Sequence, residues 1–345
     1  MNLTSFPLNL AIVEGIDKDE DLVNLLKDLG HKYILIAGTK SYDVVGRKVE
    51  EFIRGASKKF MLVMNEGRAK LAYADTIISK CAEIDVVIGI GGGSNIDLAK
   101  YVAAKCQSKL VVIPTLLSTN AIASPYSVFY KDDKSIITVR TKRPELLVAD
   151  MSVLVNQPER YALSGLGDLL AKITSLFDYR LSHLIAGDPF NKVAYEFAQA
   201  SLDMTIKNVK ILSSLRREGL ELLLYLLVLD GLIMEIAKTT RIVAGCEHQI
   251  AYSLEKFSRG THGENVALGI LICSYIQGHD YGKVKNLLYT SRLPTSYTNL
   301  GMTRDNFVEA LLEAHKTREW YTILGLRGFK DRNIVEEMLK DLEMN

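Results

Sequence analysis

The chain has almost no net charge, no cysteine pair at a metal or redox spacing, and no unbroken apolar run long enough for a bilayer. Its formal net charge is +1 over 345 residues, which removes the electrostatic reason to expect nucleic acid or an anionic membrane as partner. The four cysteines, Cys81, Cys106, Cys246 and Cys273, form no C-x-x-C motif. In a chain of this size they read as reduced, buried thiols of a cytoplasmic protein. Met1–Gly15 lacks the basic segment and apolar core of a signal peptide. The longest apolar stretch, Leu220–Ala237, is interrupted by Glu221, Asp230 and Glu235, so it reads as a mostly buried helix and not as a membrane span. There is no internal repeat and no low-complexity segment. What is present is a composition 48% hydrophobic and 24% charged, enough core for two domains.

The first 150 residues or so alternate short Val/Ile/Leu runs with amphipathic segments. Strands are expected at Asn9–Val13, Tyr33–Ala37, Phe60–Val63, Asp85–Ile90, Leu110–Ile113 and Leu146–Ala149, with a hairpin formed by Ser127–Tyr130 and Ser135–Arg140 around Lys131–Lys134. Helices are expected at Glu20–Leu29, Tyr42–Arg54, Arg68–Ala82 and Asn95–Cys106. This pattern predicts an α/β domain with a parallel sheet covered on both faces, which binds its ligand at the carboxyl ends of the strands. After Asn156 the strand-like runs stop, so we expect a domain of residues 1–155 followed by an all-helical domain of residues 156–345. In the second, helices are expected to begin at Gly167, at Gly245 and at His262.

The most informative segment is Gly89–Lys100, with glycines at 91, 92 and 93 between a buried strand and a helix. Such a loop exposes N–H groups at the positive end of a helix, where a pyrophosphate is held. It fits neither G-x-G-x-x-G nor the P-loop pattern. Among the six histidines, His248 and His262 lie near expected helix starts, as does Asp168. Two imidazoles and a carboxylate form a credible ligand set for a divalent ion with an open position, although their spacing alone does not prove it. A capping role is the competing reading for Asp168.

With these residues in view, the chain resembles the superfamily of iron-containing alcohol dehydrogenases, glycerol dehydrogenases and dehydroquinate synthases over about Ile34–Gly325. The matching segments are Gly91–Lys100, Ile113–Pro125, Gly165–Asp168, Glu247-His248 and His262–Glu264. Within it the chain is most similar to the glycerol-1-phosphate dehydrogenase branch, through Asp168–Asp178, Ala123–Pro125 and Ala314–Leu324. The resemblance implies reduction of dihydroxyacetone phosphate to sn-glycerol 1-phosphate by NAD(P)H with one divalent metal, zinc being the expected ion. It implies Asp168, His248 and His262 as ligands. It also implies dinucleotide contacts at Gly91, Gly92, Gly93, Ser94, Asp97, Thr115, Ser118 and Ser124.

Asn120 stands in the substrate segment where the family usually has aspartate, which bears on substrate orientation and proton handling. Arg318, Lys316 and His315 are candidate partners of a substrate phosphate. Glu247 and Glu264 are candidates to orient the imidazoles. The strand Tyr33–Ala37 is followed by Gly38-Thr39-Lys40 and not by an acid, so tolerance of NADP is expected. Glycerol oxidation, a dehydroquinate synthase-like lyase and a nucleotide-binding paralogue without turnover are the alternative functions. A small-molecule substrate, a triose phosphate or glycerol, and a homo-oligomer are the expected partners.

Overall fold

A computed structural model describes residues 8–56, 58–81, 83–132, 135–325 and 328–343. The chain divides into two compact units at Pro158–Glu159.

The first unit holds a six-stranded sheet and a hairpin. The strands are β1 (Asn9–Val13), β2 (Lys32–Ala37), β3 (Lys59–Met64), β4 (Val86–Gly91), β5 (Lys109–Pro114), β6 (Tyr126–Tyr130), β7 (Ile136–Arg140) and β8 (Leu146–Asp150). The sheet runs β1-β8-β5-β4-β2-β3, and every pairing in it is parallel. The central strands are continuous apolar runs because helices cover both faces; β4 is buried along its whole length. Leu35, Ile88, Ile90, Val111, Ile113 and Val148 form the middle of that core. β6 and β7 pair antiparallel as a separate ribbon; Asp133 and Lys134 of its expected turn lie outside the described residues. The helix expected at Arg68–Ala82 spans Leu71–Ser79, and Ala82 lies outside the described residues.

In the second unit the described residues form helices and turns and contain no strand. The apolar segment in its middle is the helix Arg217–Ala237. Its Asp230 is fully buried and accepts hydrogen bonds from the Lys172 ammonium at 2.5 Å and from the Ser201 hydroxyl at 3.0 Å. No described helix is long and apolar enough to cross a membrane.

One helix differs from the sequence expectation in a way that matters. Asp168 does not open a helix. It lies near the end of the helix Glu159–Leu170, which begins just after Pro158, and a second helix, Lys172–Ala186, follows. Gly165 and Gly167 read as boundaries because glycine weakens helices. Gly167 instead marks a helix crossing: a Cβ added there would lie 2.4 Å from the Gly263 carbonyl oxygen.

Candidate functional site

In the first unit, the turn after β4 leads into the helix Gly93–Cys106, whose N-cap is Gly92. No side chain caps this helix, so first-turn N–H groups are left for the oxygens of an anion. Gly91 has φ +135°, and a Cβ there would sit 2.5 Å from Asn95 Nδ2 and 3.1 Å from Ser41 Oγ. Those two side chains brace the turn. Asn95 and Ser41 both donate to the Ile90 carbonyl, at 3.1 and 3.0 Å, and Asn65 donates to Asn95 Oδ1 at 2.8 Å. The exits of β2, β3 and β4 are thereby joined.

The expected dinucleotide contacts divide into two groups. Gly91, Gly92, Gly93 and Ser94 form this turn, and Thr115 closes on it by donating to the Gly91 carbonyl at 3.1 Å. Ser118 lies in the partly exposed segment that follows, and Gly38, Thr39 and Lys40 follow β2. Asp97 departs from the expectation. It is buried, its carboxylate pairs with Lys100 at 2.7 Å, and it accepts from the Val128 amide at 3.1 Å. A side chain on the inner face of this helix is committed to the core. Ser124 is likewise buried and receives the Tyr126 amide at 3.1 Å in a local turn.

Lys100, which the sequence reading missed, is fully buried and donates to the carbonyls of Ala121 and Tyr126. It pins the turn Asn120–Ile122, which Asn120 opens.

In the second unit, three helices meet. The helix His262–Ile276 crosses Glu159–Leu170 so closely that a Cβ on Gly263 would lie 1.8 Å from the Ser164 carbonyl oxygen. It also lies against the helix Cys246–Leu254, where a Cβ on Gly269 would meet the Glu247 carbonyl oxygen at 2.4 Å. The first crossing brings Asp168 to His262, and the second brings His248. His248 Nε2 is 3.3 Å and His262 Nε2 is 4.0 Å from Asp168 Oδ1. The donor atoms of all three lie within 4.8 Å of one another.

The second crossing also brings two of the four cysteines together. Cys246 and Cys273 face each other with their Cα atoms 6.3 Å apart, within reach of a disulfide, while Cys81 and Cys106 are free thiols. Proximity created by helix packing is invisible at a separation of 27 residues.

Each ring's other nitrogen faces a carboxylate. His248 Nδ1 donates to Glu247 at 2.8 Å, and His262 Nδ1 donates to Glu255 at 2.9 Å. Both rings therefore turn Nε2 toward Asp168. Glu264 does not orient an imidazole. It receives the Thr261 amide at 2.6 Å in a capping box and pairs with Arg160 at 2.7 Å. Helix geometry explains the exchange, since position N3 faces back toward the cap. Glu255, at the end of the preceding helix, had no local signal to reveal it.

Three carboxylates thus surround two imidazoles in a largely buried place. Burial pushes the His248 imidazole down, but hydrogen bonds to Asp168 and Glu247 outweigh it and carry the ring up to about 9. The cluster draws in positive charge, and its donor set of two imidazole nitrogens and a carboxylate oxygen fits a divalent ion with an open position.

Of the three candidate phosphate partners, one lies near this cluster. Arg318 stacks on Tyr252 and Trp320, its guanidinium carbon 4.9 and 4.3 Å from their ring centres. The Tyr252 ring centre is in turn 5.2 Å from that of His262. Gln249, next to His248, donates to the Arg318 carbonyl at 3.1 Å and fixes its backbone. Lys316 is engaged by Glu313 at 2.6 Å, and His315 Nδ1 donates to the Leu312 carbonyl at 3.1 Å.

Comparison with known proteins places the chain in a family. The family profile described as iron-containing alcohol dehydrogenase matches residues 13–158. A glycerol-1-phosphate dehydrogenase [NAD(P)+] of Hyperthermus butylicus is 33% identical over 93% of each chain. Its counterpart in Aeropyrum pernix is 37% identical over 72% of this chain and 71% of its own. A probable glycerol dehydrogenase of Sinorhizobium meliloti shares the fold with a TM-score of 0.77 at 22% identity, covering 98% of this chain and 96% of its own. A glycerol dehydrogenase of Schizosaccharomyces pombe does so with a TM-score of 0.77 at 20% identity, covering 99% and 90%. The resemblance read from the motifs is borne out: the chain belongs to the glycerol-1-phosphate dehydrogenases, a branch of the iron-containing alcohol dehydrogenases.

Proposed function

We propose that this protein reduces dihydroxyacetone phosphate to sn-glycerol 1-phosphate with NADH or NADPH, and that Asp168, His248 and His262 hold the divalent metal the reaction needs. The observation that carries this reading is the convergence of those three side chains, with both imidazoles turned the same way by Glu247 and Glu255. When bound, the metal polarises the ketone oxygen and the nicotinamide supplies the hydride.

The chain's own residues have three tasks. Glu247 and Glu255 keep the Nδ1 protons in place, so the rings offer Nε2 without a tautomer change. Arg318, held beside the Tyr252 and Trp320 rings, meets the substrate phosphate through its fork of N–H donors. The amides opening the helix Gly93–Cys106 meet the pyrophosphate of the dinucleotide. Asn120 supplies an amide where an aspartate is usual in the family, so it offers hydrogen bonds but takes no proton. Work in the cytoplasm as a homo-oligomer belongs to the same proposal. Leu184, Ile185 and Val193 are large apolar side chains more than half exposed, which supports a protein contact there.

Steady-state rates on dihydroxyacetone phosphate with NADH and NADPH, set against glycerol with NAD, test the reading. We expect turnover on the phosphorylated pair, lost with a chelator and restored by zinc. Turnover on glycerol alone would overturn the substrate assignment. No turnover by this chain together with strong activity in Asn120→Asp would favour the nucleotide-binding paralogue.

A further inference from the structure

The missing acid after β2 has a substitute from the neighbouring strand. In a doubly wound sheet the strand beside the glycine turn ends near the adenosine ribose, and a carboxylate there receives the 2′-hydroxyl. Here that strand is β2, next to β4 in the sheet, and it ends in Gly38-Thr39-Lys40. The next strand outward, β3, ends at Met64 and is followed by Asn65 and Glu66.

Asn65 is buried and anchored. Its amide N–H donates to the Ala37 carbonyl at 2.8 Å, and its side chain donates to Asn95 on the glycine-turn helix. That anchor sets Glu66 over the end of β2. Glu66 Oε1 accepts the Thr39 amide N–H at 3.0 Å and the Thr39 hydroxyl. Glu66, Thr39 and Lys40 are all exposed.

We propose that Glu66 decides between the two nicotinamide cofactors by occupying, with its own carboxylate, the Thr39 donors that a 2′-phosphate would otherwise take. A ribose 2′-hydroxyl can donate to this carboxylate without displacing it. A 2′-phosphate meets a like charge, and it gains the Thr39 N–H and O–H, with Lys40 beside them, only when Glu66 swings out. The inference rests on the dinucleotide reading of the first unit. It goes beyond that reading by assigning cofactor choice to a residue outside the glycine turn and outside β2.

The test uses nucleotide binding, measured apart from turnover. Adenosine 5′-monophosphate and adenosine 2′,5′-bisphosphate are titrated by calorimetry into the full-length protein and into its Glu66→Gln, Glu66→Ala and Glu66→Ala/Thr39→Val variants. Glu66 is exposed and bonded only at its tip, so the variants are expected to fold. Removing the carboxylate should tighten the bisphosphate about tenfold, close to the scale of one like-charge contact in water, as befits an exposed carboxylate, and leave the monophosphate within about twofold. The double variant should lose most of that gain. NADPH and NADH fluorescence titrations should follow the same order. An unchanged bisphosphate affinity in both single variants, with the monophosphate still bound, would overturn the role of Glu66 and leave the dinucleotide reading intact. Failure of the parent protein to bind either nucleotide or either cofactor would overturn the dinucleotide reading itself.

Discussion

The two units build their sites from different materials. In the first, the proposed chemistry belongs to the backbone: a glycine turn at a strand end presents N–H groups, and the side chains around it (Ser41, Asn65, Asn95) brace it. In the second, the proposed chemistry belongs to side chains on three helices, and glycines at the crossings set how near those side chains come. A backbone site tolerates changes of side chain but not of backbone conformation. A side-chain site fails with any one of its ligands, and it also depends on residues such as Gly263 that touch no ligand.

The contrast is broken most severely at the second site. His262→Ala removes one of three donors and leaves an anionic cluster with less to hold a cation. We expect kcat/KM to fall by at least roughly a thousandfold, the loss of several kcal/mol of charge stabilisation. Metal per chain should fall with it, while 5′-monophosphate binding to the first unit stays as it was. Metal analysis beside calorimetry checks both halves, and parallel loss of nucleotide affinity would show that the two sites are not separable in this way.

The mirror experiment is Gly91→Ala. The backbone there has φ +135°, and the new methyl would press within 2.5 Å of Asn95 Nδ2. Strain of about 1–3 kcal/mol is expected, read as a roughly ten- to hundredfold loss in nucleotide affinity. Metal content should not move. A variant that binds nucleotide normally would mean that Asn95 and Ser41 yield, and that the brace is not needed.

This division also explains what was legible in the sequence. The parallel sheet could be read because buried central strands such as β4 are contiguous apolar runs. The glycine turn could be read because its parts are adjacent. Asp168, His248 and His262 were suggested by residue type and ordered by resemblance, but nothing local joins residues 80 positions apart. Glu255 and Glu66 were missed for the same reason, since each acts on a residue brought to it by packing. Asp97 reads as a ligand contact because it is a polar residue beside a phosphate loop, whereas the face of the helix it occupies turns it toward Lys100. The helix start at Gly167 was misplaced because a glycine chosen for close packing looks the same as one that ends a helix.

A milder change sharpens the comparison at the second site. Glu255→Gln keeps the size of the side chain and removes the charge that receives the His262 Nδ1 proton. The ring loses its most basic partner and some of its fixed orientation. We expect metal affinity to fall by about 10–100-fold, the usual cost of removing a carboxylate behind a ligating histidine, with the fold retained. Competition with a chromogenic chelator measures it. Raising the metal concentration should rescue turnover in Glu255→Gln but not in His262→Ala. Equal failure of rescue would make Glu255 part of the fold and not a positioning residue.

The smallest expected effect lies in the cysteines, which again differ between the units. Burial and the neighbouring Cys106 push the Cys81 thiol up to about 11, and burial raises Cys106 as well. With its folded-state value that high, only about one Cys81 thiol in a thousand is ionised at pH 8, so thiol reagents should react slowly with the folded protein and faster as pH rises toward 11. In the second unit Cys246 and Cys273 face each other within reach of a disulfide. Unfolding without reductant should therefore release two titratable thiols per chain, and prior reduction should release four. Four without reduction would mean that the close approach of the helices Cys246–Leu254 and His262–Ile276 does not hold the pair closed in solution.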